Sequence, residues 1–164
     1  MFELDVQTIS TIAAVLGVIV GLALTFLELR HIRKERQTSL VTGLYSTFSS
    51  KEFQTAETQI DNLEFKNAED FLEKYGPKAN VEAWATFQSM AAFYEQVGIL
   101  LHRKLIDITL VDDLLSTAIT QDWEKMAPII KDRRERLGLP QIWEWFEYLY
   151  NEMIKREKEI QSVA

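Results

Sequence analysis

The sequence predicts an all-α protein, with one N-terminal transmembrane helix continuing into a cytoplasmic helical bundle of about five or six helices. Three observations carry this. No charged side chain occurs from Gln7 to Leu27. Beyond that run, apolar residues recur at helical spacing and no strand-type alternation persists. Gly76-Pro77 and Gly138-Leu139-Pro140 read as helix stops, while Ser50, Asn67, Asn80 and Asp107 stand where helix starts need a side-chain oxygen.

The first element is the membrane span. Thr8–Leu27 holds about 20 residues, which at about 1.5 Å rise each covers roughly the 30 Å of a bilayer's hydrocarbon layer. Eleven of these are Leu, Ile, Val or Phe, so insertion is favourable by about a few kcal/mol. Thr8, Ser10, Thr11 and Thr25 detract little, because a helical hydroxyl bonds back to a carbonyl in the preceding turn. A cleaved signal peptide would want a basic leader and a small-x-small site. This leader carries Glu3 and Asp5, and Leu27-Glu28-Leu29-Arg30 closes the run, so an uncleaved anchor is expected. Before the span there is no Lys or Arg; after it come Arg30, Arg33, Lys34 and Arg36. Basic flanks stay inside, which places the N-terminus outside and the remainder in the cytoplasm, with these four side chains and His31 near anionic lipid head groups. Ala13, Gly17, Gly21 and Thr25 recur every four residues and form a small-residue stripe suited to close helix–helix contact, with a second copy or with a partner's span.

Leu29, Ile32, Arg36, Leu40, Leu44 and Phe48 continue the helical spacing, so the first helix is expected to run from near Asp5 to Phe48. The expected organisation is an anchor over residues 1–29, a basic juxtamembrane stalk over 30–49 and a soluble bundle over 50–164. Ser50 caps a helix to about Leu63, with Phe53, Ala56, Ile60 and Leu63 inward. Asn67 caps a short helix that stops at Gly76-Pro77. Asn80 starts the strongest helix, where Trp84, Phe87, Ala91, Tyr94, Gly98 and Leu101 share one stripe. Asp107 caps a segment carrying Leu110, Leu114 and Ala118. A further face of Trp123, Met126, Ala127 and Ile130 follows, with Pro128 expected to kink or restart it. A last helix runs from Gln141 to about Gln161, its final dozen residues charged and expected to fray.

Composition narrows the function classes. Beyond Arg36 there are 14 Lys/Arg against 21 Asp/Glu, so that part carries the whole net charge of −7. An acidic body is a poor partner for nucleic acid. Without cysteine there are no disulfides, thiolate metal sites or cysteine nucleophiles, and two histidines, His31 and His102, leave little for histidine catalysis. Glu28-x-x-His31 matches one half of a di-iron carboxylate pattern, but no second copy follows, and no metal or cofactor is expected. His102, near the end of its helix, reads as solvent-facing or capping. The notable charge is Glu95, set beside Tyr94 on a strongly apolar helix. A half-buried carboxylate needs a partner, and Arg133 or Arg134 are the candidates for a structural ion pair that fixes helix docking, with a pocket at Tyr94, Glu95 and Arg133 as the alternative. Lys131–Glu135 and Asp132–Arg136 read as i,i+4 pairs. Trp143 and Tyr150, in an aromatic-rich segment, are candidates for an outward partner surface.

The basic-flanked span, the string Phe93-Tyr94-Glu95-x-x-Gly98 and the turn Leu105-Ile106-Asp107 form a familiar layout. So do the Trp123 helix through Pro128-Ile129-Ile130 to Arg133 and the ending Trp145-Phe146-Glu147-Tyr148-Leu149. Over most of residues 8–150 the chain resembles a prokaryotic family of small membrane-anchored helical proteins known only as a domain of unknown function. The resemblance implies an anchored helical domain and carries over no activity. The expected role is a non-enzymatic, membrane-tethered interaction, scaffold or accessory-subunit protein. Its partners would be membrane lipid and either a second copy or a membrane protein. The alternative is a membrane-bound enzyme or ligand sensor.

Overall fold

The computed structural model describes residues 5–163. Six helices follow in order: α1 (Val6–Phe48), α2 (Lys51–Asp61), α3 (Ala68–Tyr75), α4 (Val81–His102), α5 (Ile108–Leu137) and α6 (Glu144–Val163). The protein is all-α, with a long apolar N-terminal helix followed by a helical bundle, and no strand occurs among the described residues. Glu3, part of the leader argument, lies outside the described residues. The chain divides into two compact units, residues 1–39 and 40–164.

The first unit is the apolar length of α1 and its basic end. From Ile9 onward its large apolar side chains face outward: Leu22 is 67% exposed and Leu24 60%. This helix is long and apolar enough to cross a membrane. Its hydroxyls are satisfied within the helix where they are seen, Thr25 donating to the Gly21 carbonyl at 2.8 Å and Thr38 to that of Lys34 at 2.9 Å.

The second unit is built on side-chain caps. Ser50 accepts from the Phe53 N–H at 3.1 Å, Asn67 from Asp70 at 2.9 Å, Asn80 from Ala83 at 3.0 Å and Asp107 from Thr109 at 2.8 Å. Each cap satisfies one of the first N–H groups that a helix leaves unpaired, worth about 1 kcal/mol. The stripe of α4 (Phe87, Met90, Ala91, Tyr94, Val97 and Leu101) is buried against Phe53 and Ile60 of α2, Phe71 of α3, Phe146 and Leu149 of α6, and the inner face of α5. Phe71 is fully enclosed by the rings of Phe65, Tyr75, Trp84 and Phe87, which seats the short α3.

Three features differ from the sequence reading. Residues 40–48, expected within a stalk, belong to the bundle: Leu44 is buried in the core, and Val41 and Phe48 pack against it. Of the two outcomes expected at Pro128, the restart does not occur: α5 is one helix of 30 residues across it. An interior proline costs about 3 kcal/mol. On either side of it, Trp123, Met126, Ile129 and Ile130 are buried in the same core, and burial of one such side chain is worth about 1.5–3 kcal/mol. Continuing the helix through Pro128 therefore gains more than stopping it would save. Finally, α6 begins three residues later than Gln141, for reasons that lie in the site.

Candidate functional site

The polar groups that the sequence singled out converge where α4, α5 and the start of α6 meet. Helix α6 opens without a capping side chain of its own: Trp143 precedes it, with φ 50° in the left-handed region that an indole-bearing residue rarely occupies. Glu95 of α4 supplies the missing cap from another helix. Its Oε2 accepts the N–H of Phe146 at 2.9 Å, and the carboxylate also takes the N–H of Trp145. These are the second and third residues of α6, the two donors that an N-cap oxygen ordinarily serves, and a negative charge there also meets the positive end of the helix dipole. Burial raises the Glu95 carboxyl above its ordinary range, while the two N–H bonds pull it back.

Gly98, one turn further along α4, makes this approach possible. A Cβ at that position would collide with the carbonyl oxygen of Trp145 and lie 2.6 Å from its carbonyl carbon. Arg134 of α5 closes the connection from below. It donates to the carbonyl of Ile142 at 2.8 Å and that of Trp143 at 3.1 Å, and it pairs with Glu147. Arg134 holds the Ile142 carbonyl, and the first backbone bond into α6 is to Trp143, whose carbonyl accepts the Glu147 N–H at 3.4 Å, so the helix begins after Trp143 rather than at Gln141. The Arg134 bonds and the packing of the Trp143 ring on Phe87 at 5.8 Å hold the strained backbone. Upstream, Gly138 at φ 64° ends α5, and Leu139 donates to the Arg134 carbonyl at 3.1 Å.

Tyr94 completes the arrangement. Its ring stacks on Phe146 with centroids 4.7 Å apart, and its hydroxyl donates to Asp122 of α5 at 2.6 Å. Asp122 is only 2% exposed, and no Lys or Arg pairs with it among the described residues. Burial, reinforced by Glu57 and Asp61, pushes its carboxyl up to about 7. Burial first and Asp122 second raise the Tyr94 phenol far above its usual range, so it remains a donor.

The expected ion pair between Glu95 and Arg133 or Arg134 is therefore corrected. Backbone N–H groups satisfy Glu95, and Glu147 takes Arg134. Arg133 lies in a separate groove of about 270 Å³ with Trp84, Leu72, Ile129, Asp132 and Arg136 among its walls. Its guanidinium carbon sits 5.0 Å from the Trp84 ring centre and 5.3 Å from that of Trp143. Asp132 Oδ2 stands 2.7 Å from Arg136 Nε, an ion pair at contact distance that is not in line for a hydrogen bond. Lys131 and Glu135 are exposed and do not pair.

A family model for a domain of unknown function, DUF4760, matches residues 10–153. The chain belongs to the DUF4760 family. The match takes in most of the apolar run as well as the whole Tyr94-Glu95-x-x-Gly98 string and the first half of α6, so nearly all of the segments that carried the resemblance fall inside it. Comparison with the curated proteins and with the solved structures returns no match.

The remaining candidates of this DUF4760 chain are placed as follows. Ala13, Gly17, Gly21 and Thr25 are exposed on α1, and a Cβ at either glycine would meet nothing within 4 Å. Arg30, Arg33, Lys34 and Arg36 are exposed on the same helix, with Arg30 over the Phe26 ring at 5.1 Å. His31 faces Glu35 at 3.2 Å. His102 is exposed in the last turn of α4, its ring 4.3 Å from that of Trp145. Trp143 and Tyr150, expected as outward candidates, are half-buried, Tyr150 stacking on Trp123 at 5.9 Å. Asp122 was missed, although it lies on the stripe Leu115–Ile119–Asp122–Met126, where a lone carboxylate is the available signal.

Proposed function

We propose that this DUF4760 protein is a non-enzymatic, membrane-tethered interaction module. It is held by α1 as an uncleaved single-pass anchor, with the N-terminus outside and the bundle in the cytoplasm. The observation that carries the reading is the first unit itself: a charge-free apolar run in which no described side chain is buried, followed by Arg30, Arg33, Lys34 and Arg36. Exposed apolar area on this scale has its natural cover in lipid, and the basic end supports the inward direction and contact with anionic head groups. Further support comes from where the bundle spends its polar groups. Tyr94, Glu95, Asp122 and Arg134 hold helices together, which is a structural use of residues that a catalytic site would need free.

The stripe Ala13–Gly17–Gly21–Thr25 supplies the contact face, toward a second copy or a partner's span, because open space at both glycines lets another backbone approach closely. Replacing Gly17 and Gly21 by Ile in a membrane association assay is expected to reduce association at least several-fold. Unchanged association would remove the stripe from the account. The alternative, an enzyme or ligand sensor working at Glu95, gains only if Glu95→Gln keeps the fold and abolishes a ligand-induced thermal shift.

A further inference from the structure

Arg133 is the odd cation of the bundle. Three arginines beyond the membrane-proximal cluster are half-buried: Arg133, Arg134 and Arg156. Arg134 pairs with Glu147, and Arg156 pairs with Asp112 at 2.6 Å. Arg133 makes no ion pair and no hydrogen bond among the described residues, and its Nε is buried without an acceptor. This happens in a body where acids outnumber bases by 21 to 14, so carboxylates are not scarce. The Trp84 and Trp143 rings, 5.0 and 5.3 Å away, attract the charge through their faces, yet they accept none of its N–H bonds. A guanidinium held by two indole faces, with its donors unspent, is preorganised for an acceptor from outside.

The groove also defines what that acceptor is. Its walls carry Arg133, Arg136 and Asp132, and the last two form a pair, which leaves a single positive charge to be met. Leu72, Ile129 and Trp84 line the rest with apolar surface. About 270 Å³ lies at the small end of ligand sites, room for a compact body only. We propose that this groove binds a small monoanionic carboxylate with a compact apolar or aromatic body. The carboxylate is received by Arg133, and the body rests on Trp84 and the aliphatic wall. A dianion such as phosphate is disfavoured by Asp132. This site is independent of the tethering role and stands or falls separately from it.

The test uses the full chain in nanodiscs of zwitterionic lipid, titrated with benzoate, benzamide and inorganic phosphate. Calorimetry and tryptophan fluorescence provide the readouts. Saturable benzoate binding is expected, with benzamide at least about tenfold weaker and phosphate no better than chloride. R133Q is expected to weaken benzoate at least about tenfold with the helical circular dichroism unchanged, and R133K to fall between, since an ammonium lacks the planar fork. Benzoate binding that is absent, equalled by benzamide, surpassed by phosphate or unchanged in R133Q overturns the proposal. Should R133Q fail to fold, the benzoate–benzamide comparison on the unaltered chain decides alone.

Discussion

Asp122→Asn is the perturbation whose outcome the structure constrains most tightly. The carboxyl is buried, bonded to the Tyr94 hydroxyl and faced by Glu57 and Asp61 rather than by a cation. In the fold it titrates near 7, against about 3.9 for an aspartate in an unfolded chain. A folded-state value above the unfolded one gives stability that is complete below the unfolded value and is lost as pH rises through the folded value. Integrated between about pH 4.5 and pH 8, that single group makes the bundle about 3 kcal/mol less stable at the higher pH. Asparagine keeps a carbonyl oxygen to accept from Tyr94 and removes the charge. The variant is therefore expected to be more stable than the parent at about pH 8, by about 2–4 kcal/mol. The gap should shrink by about 3 kcal/mol, to near zero, at about pH 4.5. Other groups respond to pH in both chains, so the informative quantity is the difference between the two, measured by urea unfolding of the full chain in neutral detergent across that range. Parallel pH profiles for parent and variant would mean that Asp122 is not held buried and away from cations.

Two further outcomes probe the junction of α4 and α6. Glu95→Ala removes the cap that α6 lacks locally and should destabilise the bundle by about 1–2 kcal/mol, whereas Glu95→Gln, which keeps an acceptor oxygen, should cost less; chemical denaturation of both variants checks this. Gly98→Ala forces a methyl group into the Trp145 carbonyl and should cost about 1–3 kcal/mol, with a change in near-ultraviolet circular dichroism as Tyr94 and Phe146 lose their stacking. A fully tolerated alanine would mean the two helices are further apart than described.

The local features of the fold were legible because their causes are local. Ser50, Asn67, Asn80 and Asp107 each bond to an N–H two or three residues on, so a short window of sequence contains both partners. The α4 stripe was legible for a similar reason, since periodicity alone decides which face is buried. The site was harder. Glu95 read correctly as a half-buried carboxylate in need of a partner, but the partner is the backbone of a helix about fifty residues later, and backbone N–H groups leave no mark in a sequence. Charge complementarity therefore pointed to the arginines, while Arg134 was committed to the carbonyls of Ile142 and Trp143. The restart expected at Pro128 weighed a local penalty without the buried residues on both sides of it. Asp122 sits among Thr120, Gln121 and Glu124, a polar neighbourhood that hides its place on the apolar stripe of α5.

Whether α1 is an uncleaved anchor with its bundle facing the cytoplasm is decided by a reporter fused after Ala164. The same membranes would be extracted with alkaline carbonate to separate embedded chains from adsorbed ones. An inward-facing anchor gives a full-length fusion that stays with the membrane pellet and whose reporter registers as cytoplasmic. A shortened, released chain, or a reporter that registers outside, would contradict it.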